Sequence, residues 1–569
     1  MGGRIVKTIE NRTRGLLLAL VALLSSCANV HAWVPNNSDL EAAVNAGDFS
    51  AYFANLPAWL RQQVPADASR ISEPAMKALF KDPVLANALD QRQLLAKVGV
   101  ANVGAFARAN PDNQMFLAWL LRNTQAMDLY LEGATPTGIK DRELNRYTLS
   151  AASMDIWKRI FFADPDSKEG MYLRLAIATA LRPPGTGNRG AGQAATPADP
   201  VERYKHFKAA HQNKKLFPSF DGLTVWEYQQ VVSSCASNGD LAWAREMINT
   251  WRPDLRIHEQ VVNSTSEVWR RNSPHPYTNG FKSVLSGGGK CGPRSSWSVM
   301  VCQALGIPAI GVGQPAHACV AYKAHDASLQ PQPGNIWKVG YGRGWQVSKL
   351  EGLSGPDFLA GVEERSRAAE FSQVEHLRWL ASALASTDQA AAVMQVAHKI
   401  QQSAPAAKVD LTASEKAAEA EKELEPVKAS AAPATISRAP VKLAPGGTRI
   451  EAAAFSKLSG VRVYDCFTGG KQLNFEKNVK ESWMDYALDV PATGTYALQM
   501  RTATPNFDQV LDISTGAAKL ATVKVPNTAG LWGTTSAVDV KLDKGLQTVR
   551  VSAPFQRGVA VRWFELKAK

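Results

Sequence analysis

The stretch GGGKCGPRSSWSVMVCQALGIPAIGVGQPAHACVAY, Gly287 to Tyr322, holds the residues best suited to covalent chemistry. Cys291 follows three glycines and Lys290 and precedes a segment, Pro293 to Leu305, that reads as a helix. A sulfur placed there meets backbone N–H groups and the positive end of the helix dipole, which favours the nucleophilic thiolate. The glycines let a substrate approach closely, and the Cys291 N–H can supply half of an oxyanion hole. His317 heads an apolar run on what reads as a neighbouring strand, a position from which an imidazole acts as general base. Either residue alone reads as a buried thiol or a core histidine; the pair, in this order and behind glycines, reads as catalytic.

Positioning such a pair requires a helix packed on a sheet. After the Pro293–Leu305 helix come short β-like runs at Ala309–Val312, Ala318–Lys323 and Ile336–Gly340, which together make a compact α+β unit. Upstream, from about Leu40 to Arg182, apolar spacing of three and four predicts helices such as Leu56–Gln63, Glu73–Phe80, Asp90–Val98 and Asn113–Leu131. Pro183–Pro200 reads as a loop, and helices resume at Val201–Gln212, Thr224–Trp251 and from Pro356 to about Gln402. Residues 403–447 are rich in Ala, Lys, Glu and Pro and read as a linker. Beyond them alternating strands appear at Val461–Tyr464, Trp483–Val490, Thr495–Met500, Val510–Ile513, Thr522–Val525, Val538–Leu542, Gln547–Val551 and Val559–Leu566, the texture of a β-sandwich.

The Cys/His stretch resembles the transglutaminase-like superfamily, with a Gly-x-Cys motif opening a helix, Gly306-Ile307-Pro308-Ala309 beginning the next strand, and His317-Ala318 soon after. The resemblance is tight over roughly Gly287–Trp345 and loose over about Val201–Gln402. It implies a papain-like core and acyl transfer from an amide, with Cys291 as nucleophile and His317 as base. The family completes its site with an acid or Asn a few residues beyond a Trp. Here Trp337 is followed by Lys-Val-Gly-Tyr and Trp345 by Gln-Val-Ser-Lys, so Asn335 is expected to hold the imidazole instead, with Asp326 as the alternative.

Residues 449–567 resemble family-6 carbohydrate-binding modules, most specifically in the run from Trp483 through Tyr486, Pro491 and Gly494 to Tyr496. The resemblance implies a glycan-binding sandwich in which Trp532, in a Gly/Thr-rich loop, stacks on sugar, while Trp483, Tyr486 and Tyr496 belong to the core. Two positions depart from the family: Ala453 replaces a frequent Glu near its structural calcium, and Arg562 replaces an Asn or Asp that touches sugar.

The 569-residue chain is longer than one core usually organises. Arg4, Lys7, Arg12 and Arg14 precede the apolar run Leu16–Leu24, which fits a secretory signal and is too short to span a bilayer. Cleavage after Ala32 and a lipobox placing lipid on Cys27 both fit, so a periplasmic, outer-membrane lipoprotein or extracellular location is expected, with membrane contact only through that lipid. A net charge of +13 is compatible with anionic polysaccharide or an acidic membrane surface, and export argues against nucleic acid, but with no long basic run the plain reading is scattered, solvated Lys and Arg. Without Cys27, the five remaining cysteines allow two disulfides and one free thiol; Cys302 and Cys319 read either as a pair or as two buried thiols. His275 and His325 lack ligand-spaced neighbours, so neither metal nor cofactor is expected.

The expected organisation is multidomain: a signal peptide over 1–32 (or a lipoprotein signal over 1–26), a helical N-terminal region over 33–200, an α+β transglutaminase-like core over 201–402, the linker 403–447, and a C-terminal all-β sandwich over 448–569. The expected function is that of an exported cysteine hydrolase, a peptidase or amidase acting on a peptide or amide substrate, which the C-terminal module targets to a glycan or glycoconjugate. The competing expectation is a non-catalytic, exported glycan-binding or adhesion protein with a degenerate Cys/His site.

Overall fold

The computed structural model describes residues 33–143, 147, 149–187, 196–266, 280–324, 337–385, 387–403, 434–475, 479, 481–554 and 558–569. The expected signal segment with Cys27, His275, His325, Asp326, Asn335 and residues 404–433 of the expected linker lie outside them. Among the described residues no helix is long and apolar enough to cross a membrane. The chain divides into two compact units, one of residues up to 131 together with 372–403, the other of 132–371 together with the C-terminal segment.

The first unit opens with α1 (Asn37–Ala46), α2 (Ser50–Gln63), α3 (Glu73–Leu79), α4 (Pro83–Val98), α5 (Val100–Ala109), α6 (Pro111–Leu120) and α7 (Thr124–Gly133). Their starts are written locally: Asn36, Ser72, Asp82 and Asn110 accept first-turn amides, and Pro74, Pro83 and Pro111 sit where a missing N–H costs nothing. The expected helix Asn113–Leu131 is two helices, because Asn123 accepts from Ala126 N and starts α7 afresh.

The second unit begins with α8 (Ile139–Glu143), α9 (Ala151–Ala163), α10 (Gly170–Leu181), α11 (Pro200–Gln212), α12 (Val225–Val232), α13 (Asn238–Trp251), α14 (His258–Ser266), α15 (Gly280–Gly287) and α16 (Cys291–Ala304). The expected helix Thr224–Trp251 is likewise broken, between α12 and α13. Arg203, fully buried on α11, explains the break: it donates to the carbonyls of Val232 (3.0 Å), Ser234 (3.2 Å) and Ala236 (2.6 Å) and to Asn238 Oδ1 (2.6 Å). One guanidinium thus satisfies the orphan carbonyls of a helix end and the turn after it.

After α16 the chain makes β1 (Ala309–Gln314), β2 (His317–Lys323), β3 (Trp337–Gly340), β4 (Lys349–Leu350) and β5 (Leu353–Ser354), an antiparallel sheet in the order β3-β2-β1-β4-β5, then α17 (Gly355–Ser366). Ile310, Val312, Cys319 and Ala321 pack in one cluster with Trp226, Trp337, Trp345 and Phe358. The five-stranded sheet is larger than the three runs expected, because two-residue strands carry no legible periodicity. α18 (Ala368–Leu384) and α19 (Asp388–Ser403) then lead back into the first unit, where His376 Nε2 lies 2.7 Å from Asp128 Oδ1 and 3.8 Å from Asp90 Oδ1. By contact, residues 132–200, expected within the helical N-terminal region, cluster with the sheet, and residues 372–403, expected within or beside the α+β core, cluster with the N-terminal helices.

The sandwich strands are β6 (Ala434–Thr435), β7 (Val441–Lys442), β8 (Thr448–Glu451), β9 (Lys457–Ser459), β10 (Val461–Asp465), β11 (Lys471–Phe475), β12 (Ser482–Val490), β13 (Gly494–Ala503), β14 (Gln509–Thr515), β15 (Ala518–Val525), β16 (Gly533–Thr534), β17 (Val538–Leu542), β18 (Gly545–Ala553) and β19 (Val559–Ala568). One sheet runs β10-β11-β19-β13-β16, with β8 on β19 and β17 on β13; the other runs β15-β14-β18-β12-β9-β6, with β7 on β12. Alternating residues such as Met484, Tyr486, Leu488, Leu498, Met500, Val549, Val551 and Phe564 face the space between them, giving the apolar core its period of two. β6 and β7 lie within the expected linker yet already pair with β9 and β12, so the sandwich takes chain from Ala434 onward.

Cys235, Cys291, Cys302, Cys319 and Cys466 are all free thiols. Of the two readings for Cys302 and Cys319, the structure has the unbridged one, and burial pushes both thiols up to about 12.

Replacing Arg203 by Met should cost about 3 kcal/mol, because several buried carbonyls lose their donor at once; chemical denaturation monitored by tryptophan fluorescence would read it. His206 on α11 faces Arg245 Nη2 at 2.8 Å. Burial, then Arg245 and Arg203, hold its pKa down to about 3. The folded value lies below the unfolded value near 6.5, so this contribution to stability is complete above about pH 6.5 and declines as pH falls below it. A His206→Asn protein should show a flatter thermal midpoint than the parent between about pH 6.5 and 5.

Candidate functional site: a thiol at a helix start beside a histidine strand

Cys291 is the first residue of α16, and no side chain caps this helix start. Gly287, Gly288 and Gly289 are buried, Lys290 is exposed and Cys291 is half-buried. Gly288 adopts φ +85°, a backbone that a residue with Cβ rarely takes, and this turn carries the chain from α15 into α16. Among the described residues nothing lies within 4 Å of the position a Cβ on Gly292 would occupy. The uncapped amides of the first turn and the helix dipole are thus available to a negative charge at this end.

α16 packs along β2, and Ser295 donates its hydroxyl hydrogen to the Cys319 carbonyl. The C-terminal end of α16 meets the start of β1, where Ile307 N donates to Cys302 O (2.9 Å) and Gln303 Nε2 to Ala309 O (3.2 Å). β2 returns antiparallel to β1, with Lys323 N donating to Pro308 O (2.9 Å), so β2 and α16 run the same way. Cys291 is one turn before Ser295, about 6 Å along the helix, and His317 is two residues before Cys319, about 6.6 Å along the strand. The backbones of Cys291 and His317 therefore stand at about one level and at one end of the helix–strand pair. The Cys291 thiol also lies close enough to Cys319 to contribute, after burial, to that group's raised pKa, while Arg343 opposes it.

His317 is half-buried, and its Nε2 lies 3.1 Å from the carbonyl oxygen of Tyr341. A carbonyl only accepts, so this contact places the proton on Nε2 and leaves Nδ1 as the basic nitrogen. Tyr341 ends the run that begins at Trp337, and its hydroxyl donates to Ser298 Oγ (2.8 Å) on α16. Gln314, which pairs with His317 across the β1–β2 turn, accepts from Arg343 N (2.9 Å) and donates to the Gly344 carbonyl (3.2 Å). Sequence reasoning missed Tyr341 and Gln314, since one acts through its backbone and the other holds a loop distant in sequence. Asn335 and Asp326, expected as the orienting group, are outside the described residues; among the described residues His317 meets the Tyr341 carbonyl.

Another gathering of titratable groups among the described residues, Asp90, Asp128 and His376, draws on α4, α7 and α18, and its ligand atoms lie within 4.8 Å of one another. At 2.7 Å the His376–Asp128 contact is a hydrogen bond, and we assign the group the structural role of joining three helices.

The sandwich sits directly on the helices that support the thiol. Gln472 and Asn474, both on β11 and buried, donate to the C-terminal carbonyls of α13 at Thr250 and Trp251 (2.9 Å each). Trp243 Nε1 donates to Ala529 O (3.2 Å), and Asn527 Nδ2 meets Ser286 Oγ (3.3 Å) on α15. At Gly530 a Cβ would lie 2.4 Å from Met247 Cγ, so only glycine fits against α13. Trp532 follows in the same loop; it is half-buried, and its buried Nε1 has no hydrogen-bond partner among the described residues. Tyr486 and Tyr496 are core residues, as expected. Trp483 is not: it is half-buried under Arg550, whose guanidinium stands 3.9 Å from the ring centroid and forks onto Asp485 (2.6 and 2.9 Å). Trp563 is covered likewise by Arg449, at 4.2 Å.

Residues 451–568 match the Carbohydrate binding module (family 6). Solved structures similar to part of the chain include the C-terminal family 6 module of the laminarinase LamC from Zobellia galactanivorans, at 22% identity over 21% of this chain and 99% of that one, TM-score 0.20. Another is the module CBM6cm-2 of lichenase 5A from Cellvibrio mixtus in complex with cellotriose, at 24% identity over 21% and 97%, TM-score 0.20. A third is a β-1,3-glucan-binding family 6 module from Bacillus halodurans, at 23% identity over 23% and 100%, TM-score 0.20. No curated protein matches the chain. The C-terminal sandwich, residues 451–568, is a family 6 carbohydrate-binding module.

Proposed function

We propose that this protein is an exported cysteine hydrolase of the transglutaminase-like superfamily, acting on a peptide or amide and directed to a glycan or glycoconjugate by its C-terminal module. The observation that carries the chemistry is the shared level of Cys291 and His317, fixed by the Ser295–Cys319 contact between α16 and β2. Cys291 Sγ attacks the amide carbonyl while His317 Nδ1 takes the thiol proton, and the first-turn N–H groups of α16 face the oxyanion. Collapse of the tetrahedral intermediate breaks the C–N bond, and His317 returns the proton to the leaving amine. Water, deprotonated by the same imidazole, then attacks the thioester to release a carboxylic acid and the free thiol.

The contacts of Asn527 and Ala529 with α15 and α13 support a substrate that joins sugar to peptide, since the module loop abuts the helix that leads into Cys291. The second reading, a non-catalytic exported glycan-binding or adhesion protein, draws on a specific feature: the Tyr341 contact to His317 is a neutral carbonyl and not a carboxylate, which stabilises an imidazolium less.

With iodoacetamide near neutral pH, Cys291 should be alkylated about 100-fold faster than in a His317→Ala protein, as a proton-accepting imidazole contributes on this scale; equal rates would leave the non-catalytic reading. On a glycan array, Trp532→Ala should weaken binding by about 10- to 100-fold, the loss expected of a central aromatic contact. Unchanged binding would remove Trp532 from the sugar site.

A further inference from the structure

We propose that Tyr341 is the positioning residue of the thiol–imidazole pair, its main-chain carbonyl orienting His317 while its hydroxyl ties that carbonyl to the helix of Cys291. The inference rests on the reading of Cys291 and His317 as a reactive pair and names the group that sets their geometry.

Three observations converge. The His317 Nε2 contact to Tyr341 O (3.1 Å) fixes one nitrogen and so decides which one is left basic. The Tyr341 hydroxyl reaches Ser298 Oγ (2.8 Å), two turns along α16 from Cys291, so one residue touches both the strand of the imidazole and the helix of the thiol. Tyr341 also holds φ +40°, and Ala316, immediately before His317, holds φ +53°. Left-handed backbone is unfavourable for residues with a Cβ and persists where the surroundings impose it. Here the imposing contacts are visible: Gln314 grips the backbone on both sides of Arg343, through Arg343 N and Gly344 O, and Arg343 Nη1 donates to Pro315 O (2.8 Å). The turn after β3 is thereby clamped to the β1–β2 turn, and the Tyr341 carbonyl is aimed at the imidazole.

Gly342 offers a way to move that carbonyl without touching either reactive group. A Cβ there would lie 2.6 Å from Val339 Cγ1, 2.7 Å from Cys319 Sγ and 3.0 Å from Gln314 Nε2, so Gly342→Ala must shift the turn. Tyr341→Phe removes only the hydroxyl's contacts with α16, to Ser298 Oγ (2.8 Å) and to the Arg294 carbonyl (3.5 Å).

The test is the rate of iodoacetamide alkylation at Cys291 in the full chain from pH 5 to 9, located by peptide mass spectrometry, for the parent, Tyr341→Phe, Gly342→Ala, Asn335→Ala and His317→Ala. Circular dichroism confirms folding, and Tyr341→Phe alone decides if Gly342→Ala does not fold. The expected result is a rate about 10- to 100-fold lower near neutral pH in Tyr341→Phe and in folded Gly342→Ala, the size of effect a misplacement of about 1 Å produces. Their pH profiles should converge on that of His317→Ala, while Asn335→Ala keeps the parent profile. Parent-like profiles in Tyr341→Phe, with His317→Ala slow, would overturn the role of Tyr341 and leave the pair intact; so would a slow Asn335→Ala with an unaffected Tyr341→Phe. A parent-like His317→Ala would instead sink the underlying reading of the pair.

Discussion

The packing of α16 along β2 is the constraint on which the rest of the site depends. A helix and a strand that run together in register convert a separation along the chain into a shared height, and the Ser295 hydroxyl on the Cys319 carbonyl pins that register. If α16 were shifted by one turn, the thiol would leave the level of the imidazole altogether. The sheet behind it is held by an aromatic cluster in which Trp226, Trp337, Trp345 and Phe358 contact one another at centroid distances of 5.5 to 6.1 Å. Large interlocked rings resist sliding, so the register is set by shape as well as by one hydrogen bond.

Much of this arrangement was legible in the residue order, for identifiable reasons. Cys291 and His317 stand out because glycines, a helix start and an apolar strand are all local signals, and the eight alternating runs beyond Val461 each appear as a strand within a few residues of their expected ends. β8, β9, β11 and β16 are short or interrupted by turn formers, so they carry little periodicity. What the sequence hid was non-local. The return of α18 and α19 to the N-terminal helices is a matter of which apolar face finds which partner, and nothing in Ala368–Ser403 encodes its destination. Tyr341 escaped for another reason: side-chain chemistry is written in the residue type, whereas a carbonyl belongs to every residue, and only its direction makes it useful.

The union of helices and sandwich also has a definite physical basis. The last carbonyls of α13 have no intrahelical donor, and two amide side chains of β11 supply one each. Such contacts are specific because both partners are buried, and removing either side leaves an unsatisfied polar group. The sandwich is therefore part of the scaffold on which the thiol helix rests: α13, whose end it completes, packs against α16 through Trp243 and Trp297.

The guanidinium groups above Trp483 and Trp563 bear on ligand choice. An aromatic face already occupied by a cation is a filled site, and a neutral pyranose arriving there must first evict an arginine that, at Trp483, is also forked onto a carboxylate. These two indole faces are thus withdrawn from competition, and selectivity among sugars falls to surfaces that carry no resident cation.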